Sequence, residues 1–112
     1  MSGHTDLFLG LDVGTTATKA LLLDSHGYEV ASASYGYGLS TPQDGWVEQD
    51  PEELWRGVMT TCHSVVRQAG SRRRIVALGL SSQAGTAIPI GADGRATHQA
   101  FSWMDHRAGE QA

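Results

Sequence analysis

The first third of the chain sets short apolar runs against polar breaks. Residues 7–13 are an apolar run that predicts a buried strand, and residues 17–24 predict its antiparallel neighbour. Between them the run breaks at Asp12 into a Gly14-Thr15-Thr16 turn and resumes around Lys19. Ser25-His26-Gly27 predicts a second turn, and a third strand is expected from Glu29 to about Gly38. Three strands joined by short turns make a meander. Residues 39–49, with Pro42, Gly45 and Trp46, predict a loop.

The period then changes from strand to helix. Asp50 suits a helix N-cap, Pro51 suits the first helical position, and Glu53 stands where a capping box needs it. Leu54, Trp55, Val58, Met59, Cys62, Val65, Val66 and Ala69 recur at spacings of three and four, which predicts one buried stripe. Gly70 supplies the stop. The apolar run Ile75–Leu80 follows the helix, so a right-handed crossover should lay it parallel to an earlier strand. Ala87–Ile90 and Ala96–Trp103 flank Asp93-Gly94, a hairpin turn. Pro89 cannot donate to a ladder, so this hairpin is expected at a sheet edge. The pattern is an α/β fold with a mixed sheet, β-β-β-α-β plus an edge hairpin.

Composition narrows the partners. A chain of 112 residues, 40% hydrophobic, can bury one core. No apolar run approaches the ~20 residues of a membrane helix, and residues 1–6 carry no leader pattern, so no membrane partner and a cytoplasmic location are expected. A net charge of −4 argues against nucleic acid. Arg72-Arg73-Arg74 fits a solvated helix-to-strand link. Cys62 is alone, which excludes an intrachain disulfide and suits a small buried side chain. Histidines 4, 26, 63, 98 and 106 show no metal-ligand spacing.

The opening bend carries the chemistry. A P-loop fails, because Gly14 to Lys19 lacks a second glycine before the lysine, has Ala20 after it, and leads into a strand. A dinucleotide fingerprint starting at Gly36-Tyr37-Gly38 fails too, because Thr41 stands at its third glycine and the segment opens a loop. What remains is a hairpin bend in which Gly14 allows close backbone approach to an anion, and Thr15 and Thr16 add hydroxyl donors. Asp12 at the strand end could hold a hydrated Mg²⁺, and Lys19 could neutralise a phosphoryl group. An ordinary hairpin with Asp12 bonded to its turn is the alternative.

The stretch DVGTTATKALLLD resembles the first phosphate-binding hairpin of the FGGY carbohydrate kinases, within the actin-like ATPase or ribonuclease H-like fold. GWVEQDPEELW, residues 45–55, resembles that family's loop and first-helix entry. Residues 77–108, from ALGLSSQAGTA to SWMDHRA, resemble its strand, substrate-side hairpin and W-x-D-x-R segment. The resemblance implies an N-terminal part of the first kinase domain over residues 1–112, with the second domain and the catalytic aspartate in later segments. It implies ATP and Mg²⁺ as cofactors, with Asp12 at the metal and Gly14, Thr15, Thr16 and Lys19 at the phosphates. Trp103 is implied as a sugar-stacking wall, with Gln83, Asp105 and Arg107 on the substrate side; Trp103 in a core is the alternative. A sugar or polyol substrate and a homodimer are the implied partners. Where glycerol-type members carry Arg-Glu and xylulose-type members Met-His, this chain has Ala84 and Gly85. Substrate identity therefore does not carry over, and an open space is expected there. Two other functions stay open: an actin-like ATPase that phosphorylates no sugar, and a stand-alone remnant that binds a ligand or partner.

Overall fold

Leu7, Leu9 and Leu11 alternate with Phe8, Gly10 and Asp12, and this period of two gives the first strand one buried face. In the computed structural model, residues 5–71 and 73–109 are described, Arg73 by its backbone alone. Strands β1 (Thr5–Val13), β2 (Ala17–Asp24) and β3 (Glu29–Gly36) form the expected antiparallel meander. A two-residue strand β4 (Glu48–Gln49) precedes helix α1 (Pro51–Ala69), and β5 (Arg73–Ser82) returns parallel to β1. The four-stranded sheet has the order β3-β2-β1-β5. The third strand stops two residues short of the expected Gly38, and Ser40 and Glu48 bridge within the expected loop.

The core lies between α1 and the sheet. Leu7, Leu22 and Val65 are fully buried, each contributing about 1.5–3 kcal/mol by removal from water. Leu9, Leu11, Ala20 and Ala31 complete it. The helix lies across β2 and β3 more than across β1. Beyond its cover, Leu78 and Leu80 of β5 stay exposed, at 57% and 66%. One helix leaves that flank bare.

Two features of α1 differ from expectation. The Asp50 carboxylate caps the helix by accepting from the Glu52 N–H at 2.9 Å. The capping box is not closed, because the Glu53 carboxylate instead accepts from the Tyr35 hydroxyl at 2.9 Å and pairs with Arg56. The buried stripe is met in part: Val65 is buried and Val58, Cys62 and Ala69 pack against the core as expected, Gly57 and Thr61 join them, and Trp55, Met59 and Val66 face solvent. Gly57 brings the helix backbone close to β2, where a Cβ would lie 2.9 Å from Thr18 Oγ1. Thr61 satisfies its buried hydroxyl on the Gly57 carbonyl at 2.8 Å.

The segment after β5 corrects the edge-hairpin reading. Among the described residues its pairing consists of the bridges Ile90–Ala96 and Ala87–Phe101 and of strand β6 (Ala100–Phe101), which pairs with β4 in a separate two-stranded sheet. The Asp93-Gly94 turn does form, closed by the Gly91 N–H on the Arg95 carbonyl at 2.8 Å. Pro89 contributes its carbonyl, which accepts from the Thr97 N–H at 2.9 Å. Arg74 stands inside β5, paired with Asp6 at 3.0 Å, instead of in a link before it. Arg72 and His4 lie outside the described residues.

Candidate functional site

Antiparallel register puts Asp12 directly opposite Lys19, on the sheet face away from α1. Both side chains are exposed. Parallel register adds Ser81 of β5 beside Asp12, and Gly10 pairs with Gly79. The two glycines present no side chains, and the gap over them is a depression of about 550 Å³ lined by Asp12, Lys19, Leu21 and Ser81. A carboxylate and an ammonium thus stand at the mouth of an open hollow beside the β1–β2 bend.

The bend is fixed from inside. The Gly14 N–H is spent closing the turn on the Ala17 carbonyl at 2.9 Å, so this donor is not one that faces an anion. The Gly14 carbonyl accepts from the Tyr37 hydroxyl at 2.5 Å, and Tyr37 also meets the buried Thr18 hydroxyl at 3.2 Å. Burial pushes the Tyr37 phenol above its ordinary value, which keeps it a donor. Thr16 at the tip is exposed.

Thr15 connects the bend to the segments expected on the substrate side. Its hydroxyl donates to Gln83 Oε1 at 3.2 Å and accepts from the Trp103 indole N–H at 2.9 Å. Gln83 extends β1's ladder by donating its backbone N–H to the Val13 carbonyl at 2.9 Å. Its Nε2 donates to Gln49 Oε1 at 2.8 Å, and Gln49 Nε2 donates to the Thr15 carbonyl at 2.7 Å. Trp103 is 54% exposed, so its ring is a wall beside the bend and not a core residue. Gly85 has φ +81°, and a Cβ there would lie 3.2 Å from Trp103 Cβ. The expected open space at Gly85 is therefore closed on that side by Trp103 Cβ.

Asp105 and Arg107 are brought to the same region but are turned inward, onto each other. The guanidinium bonds both Asp105 oxygens, at 3.0 and 2.9 Å through Nε, and reaches the buried Glu48 at 2.7 Å. It stacks over Trp46 at 3.9 Å and Phe101 at 4.7 Å. Asp105 also accepts from the Val47 N–H at 2.8 Å. The Arg107 hydrogen bonds hold the Asp105 carboxyl far below the usual carboxylate range. This latch ties the chain before α1 to the turn that carries Trp103.

Sequence reading missed Gln49 and Tyr37. Gln49 lies in a polar run between Glu48 and Asp50, and no periodicity marks it as buried. Tyr37 lies between Gly36 and Gly38, and nothing in that stretch marks its phenol as a partner of the bend.

Residues 7–112 match the FGGY family of carbohydrate kinases, N-terminal domain. A glycerol kinase of Methylobacterium nodulans is 39% identical over 105 residues, covering 92% of this chain and 21% of that protein. A gluconate kinase structure from Lactobacillus acidophilus superposes with TM-score 0.88 at 33% identity, over 96% of this chain and 21% of that one. A xylulose kinase structure from Rhodospirillum rubrum superposes with TM-score 0.90 at 27% identity, over 94% and 22%. The chain spans about a fifth of the length of the curated relatives it matches.

Proposed function

The chain belongs to the FGGY family of carbohydrate kinases, and we propose on that premise that it is the phosphate-binding and sugar-facing part of an ATP-dependent sugar or polyol kinase. The observation that carries the reading is the pairing of Asp12 with Lys19 beside a bend whose Thr15 hydroxyl takes the Trp103 indole N–H. Phosphoryl transfer asks the protein chiefly for positioning and charge neutralisation. A bend and a wall in direct contact suit that demand.

The residues fit MgATP. Asp12 is an exposed single carboxylate, and among the described residues no cluster of three or more ligating side chains exists. That suits a cation carried by phosphates and water with one or two protein carboxylates. When bound, MgATP supplies the transferable γ-phosphoryl group and the metal's charge. Lys19 neutralises negative charge at the hollow, Thr16 offers an exposed hydroxyl to phosphate oxygens, and the Trp103 ring packs on the C–H face of a polyol. Gln83 is hydrogen-bonded to Thr15, which in turn holds the Trp103 indole N–H. Asp105 is a poor general base, because Arg107 holds both its oxygens and so depresses its affinity for a proton. The base for the acceptor hydroxyl is then expected in a later segment, with a second domain expected to close over this one.

Glycerol kinases are among the relatives, and xylulose and gluconate kinases are among the similar structures. Ala84 and Gly85 carry no group that holds a substrate hydroxyl, so the acceptor is a polyol, ketose or sugar acid bound through other residues. The test is sugar-dependent ADP release by the whole kinase that carries this chain, across a panel of these acceptors. ATP hydrolysis that no acceptor stimulates would overturn the reading. Glycerol as the best acceptor would overturn the role given to Ala84 and Gly85.

A further inference from the structure

Gln49 is 2% exposed, yet both ends of its amide are used. The direction of its hydrogen bonds is forced. The Thr15 carbonyl can only accept, so the Gln49 NH₂ must face it and the Gln49 oxygen must face Gln83. Gln83 must then present its NH₂ to Gln49 and its oxygen to Thr15. Thr15 has one hydroxyl proton, which goes to Gln83, and its lone pairs are left to accept. At the far end stands the Trp103 indole N–H, which can only donate, and it finds that acceptor. The chain runs Trp103 → Thr15 → Gln83 → Gln49 → Thr15 carbonyl, with each donor and acceptor matched.

We propose that Gln49 is a positioning residue that sets the direction of this chain and so locks the Trp103 wall to the phosphate bend. It is not among the residues lining the Asp12–Lys19 hollow, and it acts through its hydrogen bonds to Thr15 and Gln83. Its seat on β4, the strand paired with β6 just before Trp103, links the same two regions through the backbone. For its effect on turnover the proposal rests on the kinase reading; for its effect on Trp103 it does not.

Two substitutions separate positioning from folding. Gln49→Met keeps the length of the side chain and loses both hydrogen bonds. Gln49→Glu keeps an acceptor for Gln83 but sets a second acceptor against the Thr15 carbonyl. The whole kinase carrying this chain, labelled with ¹⁵N-tryptophan, gives one indole N–H signal per tryptophan, the Trp103 signal being assigned by its loss in Trp103→Phe. In both variants the Trp103 signal should move while that of Trp55, exposed on α1, stays. In the same proteins kcat should fall about 10-fold, as misplacement of reacting groups predicts. The melting temperature should fall too, more for Gln49→Glu, whose charge is buried against a carbonyl, with both variants still folded at the assay temperature. An unmoved Trp103 signal in either folded variant would overturn the proposal. Unfolding of both would overturn it too, making Gln49 a folding residue. A wild type without sugar-dependent turnover would remove the kinase reading, and the Trp103 signal would still decide the role of Gln49.

Discussion

Gly57 of α1 and Thr18 of β2 touch so closely that a single added carbon on the helix would lie 2.9 Å from the threonine hydroxyl oxygen and 3.1 Å from its Cβ. Thr18 is fully buried and cannot swing away. Gly57→Ala would normally gain about 1 kcal/mol in helix propensity. Here overpacking costs about 1–3 kcal/mol, so the variant should be the less stable one. Thr60→Ala, on the exposed side of the same helix, should change stability by less than about 0.5 kcal/mol. Urea unfolding of both proteins compares them, and a stabilised Gly57→Ala would show that the helix sits farther from β2.

This contact also explains what the sequence made legible. The apolar run over residues 7–13 and the turns after it exposed the meander, and Asp50-Pro51 marked the helix start within a residue. The helix face was legible in Val58, Cys62, Val65 and Ala69, but hydrophobicity also pointed at Trp55, Met59 and Val66, whereas close approach chose the small residues Gly57 and Thr61. The site divided in the same way. Asp12, Lys19 and the bend followed from a hairpin with unusual polar residues. Gln49 could not follow, because its partners Thr15 and Gln83 are each 34 residues away in the chain. Asp105 and Arg107 were recognised as a segment, but their pairing with Glu48 and Trp46 depends on β4, which polar sequence disguised as loop.

Asp12→Asn should spare the fold and remove most activity. The side chain is exposed on the open face of the sheet, so the amide costs no packing. Loss of a carboxylate next to the phosphates should lower kcat by about 10²-fold or more. Steady-state kinetics at saturating MgATP measures it, and a near-native kcat would remove Asp12 from the metal site.

Acid should weaken the latch at Asp105. Its carboxyl is depressed in the folded protein, so the ionised form favours the fold. That contribution is complete above the unfolded value of about 3.9 and is lost as pH falls toward the depressed one. The stability gap between wild type and Asp105→Asn should be constant from about pH 5 to 8 and narrow below about pH 4. A gap that persists unchanged on acidification would show that Arg107 does not hold the charge.

The 112-residue chain by itself should associate and should not phosphorylate a sugar. Exposed Leu78 and Leu80 sit on β5, a strand paired on one side only. Such an edge invites pairing with another copy. Sedimentation velocity should show concentration-dependent species, and Leu80→Lys should reduce them. A monomer with sugar-dependent ADP release would mean that the base lies among these residues after all.

Trp103 has two separable parts, a ring face and an N–H. Trp103→Ala removes both and should weaken sugar binding by about 5- to 150-fold, the equivalent of 1–3 kcal/mol of buried aromatic surface, with a smaller effect on ATP. Trp103→Phe keeps a face but leaves Thr15 Oγ1 without the donor now 2.9 Å away. The hydroxyl keeps its bond to Gln83 but loses its tie to residue 103, so the wall remains while its hold on the bend is lost. Phe should therefore hold the sugar KM within a few-fold and lower kcat, the reverse of the Ala pattern. Isothermal titration with the acceptor, alongside kcat and both KM values, separates the two. Equal changes in both KM values for both variants would reduce Trp103 to a packing residue and break the link between the wall and the bend.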